Sequence, residues 1–277
     1  MKICLVYDDK FKYTTGYYCK FALERLGHTV YYMNPMKSKY FIKDVDFFLN
    51  VDDDSPYFLP ETWKPNVYWV SDTHRGHIQW RFDKCKKADF LFTAQKKAME
   101  QFSQQRENVY WLPHACDELL HASSKTEKLY DIAFVGHINS KIHTKREKMI
   151  QLIRSKFSSI KIIGGVFLNE MADVYAQSKI VFNCSLNNDI NMRLFEGCCS
   201  GSLVVTDYIQ DLEHLNLHVV NYTDEFDLEY KLNWYLENDA EREKVAKLGQ
   251  QEALREHTYM KRMEQMIKIV KRGSNCG

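Results

Sequence analysis

The sequence of 277 residues has no run of about eighteen consecutive apolar residues, so a membrane-spanning helix is not expected. Its first residues, Met1 to Asp8, turn acidic where a secretory signal peptide would stay apolar and reach a small-residue cleavage site. They are predicted to form a core strand instead. Low-complexity stretches and short repeats are also lacking. These absences favour a globular protein of the cytoplasm.

An excess of charge of one sign is lacking too, because 38 Lys and Arg residues stand against 37 Asp and Glu residues, a net charge of +1. No overall field would draw the protein to nucleic acid or to an anionic membrane. The eight cysteines include no Cys-x-x-Cys pair, so a zinc site is not expected and a reducing compartment fits. The neighbours Cys198 and Cys199 are interpreted as small residues on a packed helix.

The residues that are present have ordinary globular proportions, since 45% are hydrophobic and 27% are charged, which argues against disorder. A chain of this length exceeds the usual size of one α/β domain, so two domains are expected. The polar segment 117–128 lacks a clear period and is interpreted as the linker. The predicted domains are residues 1–128 and 129–257, followed by a C-terminal helix and tail at 258–277.

Short apolar runs alternate with helical patterns along the whole chain, which is typical of βαβ units and parallel sheets. The predicted strands are Ile3–Tyr7, Thr29–Tyr32, Asp46–Val51, Asn66–Ser71, Asp89–Thr93, Val109–Leu112, Asp131–Val135, Lys161–Ile163, Ile180–Cys184, Leu203–Thr206 and His218–Asn221. The predicted helices are Tyr17–Leu26, Thr144–Phe157, Leu168–Ser178, Met192–Cys199, Glu225–Glu237 and Ala240–Glu256. The predicted fold class is therefore α/β, with two sets of parallel strands.

The tail from Thr258 to about Arg272 carries apolar residues at helical spacing, with Lys and Arg between them. It is predicted to form an amphipathic helix. The helix either crosses back to pack on the first domain or caps the second one.

Residues 181–207 are the richest in chemistry. A buried strand is predicted to end at Ser185, a polar loop follows, and Asn191 is the expected N-cap of a helix. The free N–H groups at such a helix start favour binding of a diphosphate, and Arg193 adds positive charge there. Glu196 lies on the same helix face and can accept hydrogen bonds from the two hydroxyls of a ribose. The alternative is an ordinary Arg193–Glu196 pair on a solvated face.

Five segments resemble, in the same order, those of the CgeB-like proteins of the glycosyltransferase family 1 type. They are Asn191–Asp207, with its Asn-x-Arg-x-Phe-Glu pattern, Tyr68–His74, Trp111–Asp117, Tyr130–Asn139 and His257–Met263. The resemblance covers nearly the whole chain. It implies the GT-B fold, in which two Rossmann-like domains face a central cleft, and a glycosyltransferase that uses a UDP- or GDP-sugar as donor.

The resemblance also implies roles for single residues. Glu196 would be the ribose-binding acid and Arg193 a residue on the phosphate side, both on the donor-binding second domain, with the acceptor on the first. Many related enzymes carry another glutamate eight positions before Glu196, near the donor sugar. This chain departs from that pattern with Asn188 followed by Asp189, which are the candidates for that contact.

Two loops are further candidates for the donor site. Gly136, His137 and Asn139 follow the first strand of the second half, and in GT-B proteins this loop often touches the donor phosphates. An exposed loop histidine is the alternative for His137. Thr15 and Gly16 lie between the first strand and the first helix, where they either approach a substrate or serve only the turn.

Asp72 and His74 are the candidates for catalysis, because they end a predicted strand and can accept a proton from the acceptor as a general base. Alternatively, Asp72 caps the following helix and orients His74. His114 is a lesser candidate. The triplet at residues 52–54 suggests the metal-binding Asp-x-Asp of another glycosyltransferase fold, but it is remote from the donor segment and is interpreted as a solvated turn.

The sequence thus predicts a glycosyltransferase that needs a nucleotide-sugar donor and no cofactor or divalent metal. The acceptor stays open: a saccharide, a protein, a small molecule or a modified nucleic acid. The near-neutral charge gives DNA no support. The alternative functions are a non-catalytic module that binds a nucleotide or nucleotide-sugar, and a GT-B epimerase.

Overall fold

A computed structural model describes residues 1–10, 13–34, 42, 44–51, 57–71, 73, 79–138 and 143–274. Within these ranges the strands are β1 (Lys2–Val6), β2 (Thr29–Met33), β3 (Phe47–Val51), β4 (Asn66–Val70), β5 (Phe90–Thr93), β6 (Val109–Trp111), β7 (Tyr130–Val135), β8 (Ile160–Ile163), β9 (Ser178–Phe182), β10 (Leu203–Asp207) and β11 (Val220–Tyr222). The helices are α1 (Thr15–Arg25), α2 (Gln79–Lys87), α3 (Lys96–Ser103), α4 (Thr144–Lys156), α5 (Leu168–Ala176), α6 (Met192–Cys199), α7 (Glu225–Glu237), α8 (Asp239–Glu256) and α9 (Tyr259–Ser274), with a short 3₁₀ turn at Gln210–His214.

The chain forms two compact units. Unit 1 is Met1–His114 with Tyr259–Gly277, and unit 2 is Ala115–Thr258. Residues 115–128, which the sequence analysis assigns to the first domain, belong to unit 2. The reason lies in their hydrogen bonds, because the Cys116 N–H donates to His257 O at 3.0 Å and Lys128 Nζ donates to Ala176 O at 2.8 Å and Ser178 O at 2.9 Å.

Unit 1 contains a parallel sheet of six strands in the order β2-β1-β3-β4-β5-β6. These strands are short, β-branched and aromatic, and most of their side chains are buried, as expected for a sheet covered on both faces. Helix α1 is followed by Gly27, whose φ of 78° is the left-handed conformation that the sequence predicts.

The C-terminal helix α9 packs in unit 1. Met263 and Met266 of its apolar stripe are fully buried, and the ring of Tyr259 stacks on that of Tyr18 in α1 with centroids 4.9 Å apart. Arg262 Nε also donates to Pro113 O at 2.8 Å. The sequence analysis allows this helix either to pack back on the first domain or to cap the second, and packing on the first is correct.

Unit 2 contains a parallel sheet of five strands in the order β11-β10-β9-β7-β8. Since β8 lies on one side of β7 and β9 on the other, the strand order reverses between β7 and β9. In open parallel sheets, ligands bind at the carboxyl ends of the strands beside such a reversal. Helix α6 follows β9 and presses against the sheet, because a Cβ on Gly197 would lie 2.8 Å from Val204 Cγ2.

The α/β class and the parallel strands are confirmed. Every strand and helix predicted from the sequence is present, whereas α2 and α3 were not predicted. The seven described cysteines form no disulfide and are buried, Cys198 and Cys199 among them. Among the described helices, none combines the length and the apolar character that crossing a membrane requires.

Candidate functional site

The loop between β9 and α6 brings several polar side chains to the carboxyl edge of the sheet in unit 2. Asn191 has the extended backbone of an N-cap, with φ −116° and ψ 169°, but its side chain does not cap the helix. Instead, Asn191 Nδ2 donates to Asn183 Oδ1 at 3.2 Å. Asn188 is exposed with φ 54°, and the half-buried Asp189 accepts from the Asn187 N–H at 3.4 Å.

Arg193 joins the ends of β7 and β9. Its Nε donates to Val135 O at 2.9 Å, and its Nη1 donates to Asn183 Oδ1 at 2.7 Å. The guanidinium lies over the Phe134 ring, 4.5 Å from the centroid, in a cation–π contact. Asn183 is itself held by a 2.9 Å hydrogen bond from Nδ2 to Thr206 Oγ1. A positive charge is therefore fixed at the point where the strand order reverses.

Gly136 leaves room for that guanidinium, because a methyl group on Gly136 would overlap Arg193 Nη2. The next residue, His137, is exposed, and its carbonyl oxygen accepts from Arg146 Nη1 at 3.2 Å. Burial, with the charge of Arg193 nearby, lowers the pKa of Arg146 to about 10. Gly136 thus lies against Arg193, whereas the His137 side chain faces solvent.

Glu196 lies one turn after Arg193 and is only 7% exposed. Burial raises the pKa of this carboxyl group to about 7, against the opposing effect of the Arg193 charge. Its carboxylate oxygens make no hydrogen bond to any residue that the structure describes. Buried polar groups in proteins almost always have a hydrogen-bond partner, so an unmatched carboxylate points to a ligand or to solvent.

Two fully buried atoms beside α6 lack a hydrogen-bond partner within the described ranges: the Tyr175 hydroxyl and Asn191 Oδ1. Burial raises the pKa of the Tyr175 hydroxyl. The charge of Arg193 lowers this pKa and that of Glu196 raises it, so both side chains act on Tyr175. Arg193 approaches the hydroxyl without reaching hydrogen-bonding geometry. Unmatched donors and acceptors therefore cluster around one end of one helix.

The sequence analysis did not identify Asn183, Tyr175 or His121, the buried residue whose Nε2 lies 3.9 Å from Glu196 Oε1. For Asn183 a signal existed, because it is a polar residue directly after a buried parallel strand. Tyr175 and His121 carried none, since one lies in the apolar pattern of a helix and the other in a polar stretch.

The remaining candidates lie in unit 1 or outside the described residues. Thr15 begins α1, and a methyl group on Gly16 would overlap the Tyr7 ring, so Gly16 serves packing at the start of α1. His114 is buried, 6.3 Å from the Trp69 ring. Asp72, His74, Asn139 and the acidic triplet at 52–54 lie outside the described residues. Within the described ranges no three His, Cys, Asp or Glu side chains are grouped as metal ligands.

The family model of glycosyl transferase-like proteins matches residues 106–268, more than half of the chain. The chain belongs to this glycosyl transferase-like family. It is therefore a glycosyltransferase, and the match includes all of unit 2 together with the segments that hold Arg193 and Glu196. Comparison with curated protein sequences gives no match.

Solved structures of glycosyltransferases share the fold over almost the full length of this glycosyltransferase. Anabaena Alr3699/HepE in complex with UDP and glucose has a TM-score of 0.69 at 12% identity, covering 98% of this chain and 100% of that one. An alpha-glucosyltransferase in complex with UDP-glucose and abasic DNA has a TM-score of 0.67 at 12% identity, with coverage of 98% and 99%. Sucrose-phosphate synthase from Thermosynechococcus elongatus has a TM-score of 0.65 at 9% identity, with both chains covered completely. The GT-B fold is confirmed.

Proposed function

We propose that this glycosyltransferase takes its sugar from a UDP- or GDP-sugar bound by unit 2, and that Glu196 binds the ribose hydroxyls. The observation that carries the proposal is the Glu196 carboxylate, which is buried, lacks a hydrogen bond among the described residues and lies one turn from Arg193. A carboxylate has two oxygens, and each can accept from one hydroxyl of a ribose. A nucleoside would supply the hydrogen bonds that this group lacks.

The diphosphate is proposed to bind at the start of α6. The Asn191 side chain leaves the first-turn N–H groups uncapped, and the helix dipole adds partial positive charge there. Arg193 contributes a full charge held by Val135 and Asn183. Negative charge grows on the diphosphate as the sugar departs, so these groups would stabilise the transition state without a divalent metal.

UDP is favoured as the nucleotide because structures with the same fold were determined with it. Unit 1 is proposed to bind the acceptor, and Asp72 and His74 to act on its proton. The seven described cysteines are buried and form no disulfide, which favours the cytoplasm as the location. Gly136, His137, Asn139, Asn188 and Asp189 remain proposed as lining the donor site.

Calorimetric titration of UDP and GDP into the protein tests whether Glu196 and Arg193 bind the nucleotide. Glu196→Gln keeps the shape but removes the charge that strengthens two hydrogen bonds, and we expect it to weaken binding by about tenfold to a hundredfold. Arg193→Ala should weaken binding at least as much. Transfer from the matching nucleotide-glucose to a panel of acceptors should fall in parallel.

Glu252→Gln is the matched control, because Glu252 is also a buried helical glutamate of unit 2 but pairs with His218. It should lower the melting temperature and leave nucleotide affinity unchanged. If both the Arg193 and the Glu196 variants bind nucleotide as the wild type does, the donor site has been assigned to the wrong place.

A further inference from the structure

Tyr175 carries a hydroxyl group that no part of the proposed mechanism uses. The residue lies in α5, which packs against α6, and its side chain is fully buried. In the part of the chain that the structure describes, this hydroxyl has no hydrogen-bond partner. Buried tyrosine hydroxyls usually find a partner, because an unmatched polar group destabilises the folded state. A phenylalanine would fill the same space without this penalty, so the hydroxyl itself indicates a further role.

The surroundings of Tyr175 hold the hydroxyl in a constant place. Ser202 Oγ donates to Tyr175 O at 2.6 Å, which joins the end of α5 to the segment between α6 and β10. The side chain is enclosed on all sides, and close-packed interiors leave a large ring little room to move. The hydroxyl is therefore presented to α6 from a rigid support.

Two charged side chains of α6 act on this hydroxyl in opposite ways. Burial raises the pKa of Tyr175, so the hydroxyl keeps its proton at pH 7. The charge of Arg193 lowers this pKa and the charge of Glu196 raises it, as expected for groups that lie near the hydroxyl. A neutral hydroxyl can accept a hydrogen bond from a guanidinium and donate one to a carboxylate at the same time.

Arg193 and Glu196 are three positions apart on α6, the spacing at which opposite charges commonly pair. Among the described side chains, however, these two form no ion pair with each other. Arg193 donates instead to Val135 O at 2.9 Å and to Asn183 Oδ1 at 2.7 Å. His121 lies 3.9 Å from Glu196 Oε1 but is neutral at pH 7, because burial lowers its pKa to about 4. The positive and the negative charge of α6 therefore stay separate.

We propose that Tyr175 is a positioning residue for both charges of the donor site: its hydroxyl accepts a hydrogen bond from Arg193 and donates one to Glu196 when the nucleotide is bound. The inference rests on the proposed function, since it takes Arg193 to bind the diphosphate and Glu196 the ribose. Without nucleotide the hydroxyl stays unmatched, and it gains both partners once the nucleotide orders the two side chains. Tyr175 thereby couples recognition of the diphosphate to recognition of the ribose, although it does not touch the nucleotide.

Tyr175→Phe tests the inference, because it removes one oxygen and keeps the ring. The measurements are calorimetric titration of UDP, or of GDP if the wild type binds GDP instead, and a thermal melt of the protein without nucleotide. We expect the affinity to fall about tenfold, the value of one hydrogen bond to a charged group. The melting temperature should equal or exceed that of the wild type, because the unmatched hydroxyl is gone. A purely structural role predicts the reverse, a lower melting temperature and an unchanged affinity, which would overturn the inference.

Tyr222→Phe is the matched control. Tyr222 is also a buried tyrosine of unit 2, and among the described residues its hydroxyl likewise has no hydrogen-bond partner. Its ring stacks on Phe182 in the core of the sheet, with centroids 5.9 Å apart, and it has no part in the proposed donor site. This variant should keep the wild-type affinity. An equal loss of affinity in both variants would mean that the position beside α6 is not the cause, and the inference would be wrong.

The double variant with Glu196→Gln shows whether Tyr175 acts through Glu196. Glutamine keeps the shape of the side chain but not its charge, so in this background Tyr175→Phe should weaken binding less than threefold. Substitutions that act independently would be additive, and a second tenfold loss would therefore contradict the inference.

The two proposals fail in different ways. If Glu196→Gln weakens nucleotide binding and Tyr175→Phe does not, only the role of Tyr175 is wrong. If the wild type binds neither UDP nor GDP, the proposed function is wrong and the role of Tyr175 falls with it.

Discussion

At the scale of single residues, Glu196 is a carboxyl group that folding shifts toward its protonated form. Burial raises its pKa from 4.5 to about 7, so the folded chain binds this proton more tightly than the unfolded chain. The contribution to stability is therefore complete below pH 4.5 and is lost as the pH rises through 7. This direction is opposite to that of most carboxylates, whose pKa folding lowers.

Glu196→Gln should remove this dependence on pH in the protein without nucleotide. Glutamine has no proton to lose, so the free energy of unfolding of the variant relative to the wild type should rise by about 2 kcal/mol between pH 5.5 and pH 8.5. Denaturant unfolding at the two pH values measures this change. A difference that stays constant, or that shrinks with pH, would contradict the buried, unmatched state of the carboxyl group.

Only part of the residue-scale picture could be predicted from the sequence. Arg193 and Glu196 stand out because a charged pair at helical spacing follows a polar loop and a buried strand. His121 lies far before Glu196 along the chain, and their proximity depends on the fold and on the turn at Asp117, whereas Asn183 is only ten residues from Arg193. No local pattern encodes such distant contacts.

At the scale of elements, the end of β7 and the first turn of α6 are fitted to each other through Gly136. Gly136→Ala should displace the Arg193 guanidinium, because the new methyl group would occupy the space of Nη2. We expect nucleotide affinity to fall by roughly tenfold, the value of one charge-assisted hydrogen bond. Calorimetric titration beside a thermal melt separates this loss from unfolding.

Gly165→Ala is the control for backbone strain. Gly165 follows β8 with φ 78°, and no atom lies within 4 Å of the Cβ that alanine would add. It should cost about 1 kcal/mol of stability and leave affinity unchanged. Equal losses of affinity in both variants would mean that strain, and not the space beside Arg193, accounts for the effect of Gly136→Ala.

The elements themselves were largely predictable, because alternating apolar runs and helical patterns are local signals. The helices missed, α2 and α3, have nine and eight residues, the same lengths as α5 and α6, which were predicted, so length alone does not explain why they were missed. The strand orders could not be derived in the same way. They depend on pairings between distant segments, such as β1 with β3 and β7 with β9.

At the scale of the whole molecule, the proposed donor site lies within one unit. Hydrogen exchange with and without UDP should therefore show protection at the ends of β7 and β9 and along α6. With UDP at about 100 times its dissociation constant, the expected stabilisation is about 2.7 kcal/mol. Glu196→Gln at the same UDP concentration should show much less protection. Protection confined to α1 and α9 of unit 1 would contradict the assignment.

The path of the chain through the two units has a consequence for biosynthesis. Unit 2 is one uninterrupted stretch, Ala115–Thr258, whereas unit 1 needs both the first 114 residues and the helix that begins at Tyr259. During synthesis, the stretch of unit 1 that precedes unit 2 must wait for α9, which follows unit 2, while unit 2 can already reach its native packing. A premature stop near residue 258 would thus release a chain in which unit 2 is intact. The stretch of unit 1 that precedes unit 2 would expose the surface that Tyr259, Met263 and Met266 normally cover. Chaperones bind surfaces of this kind.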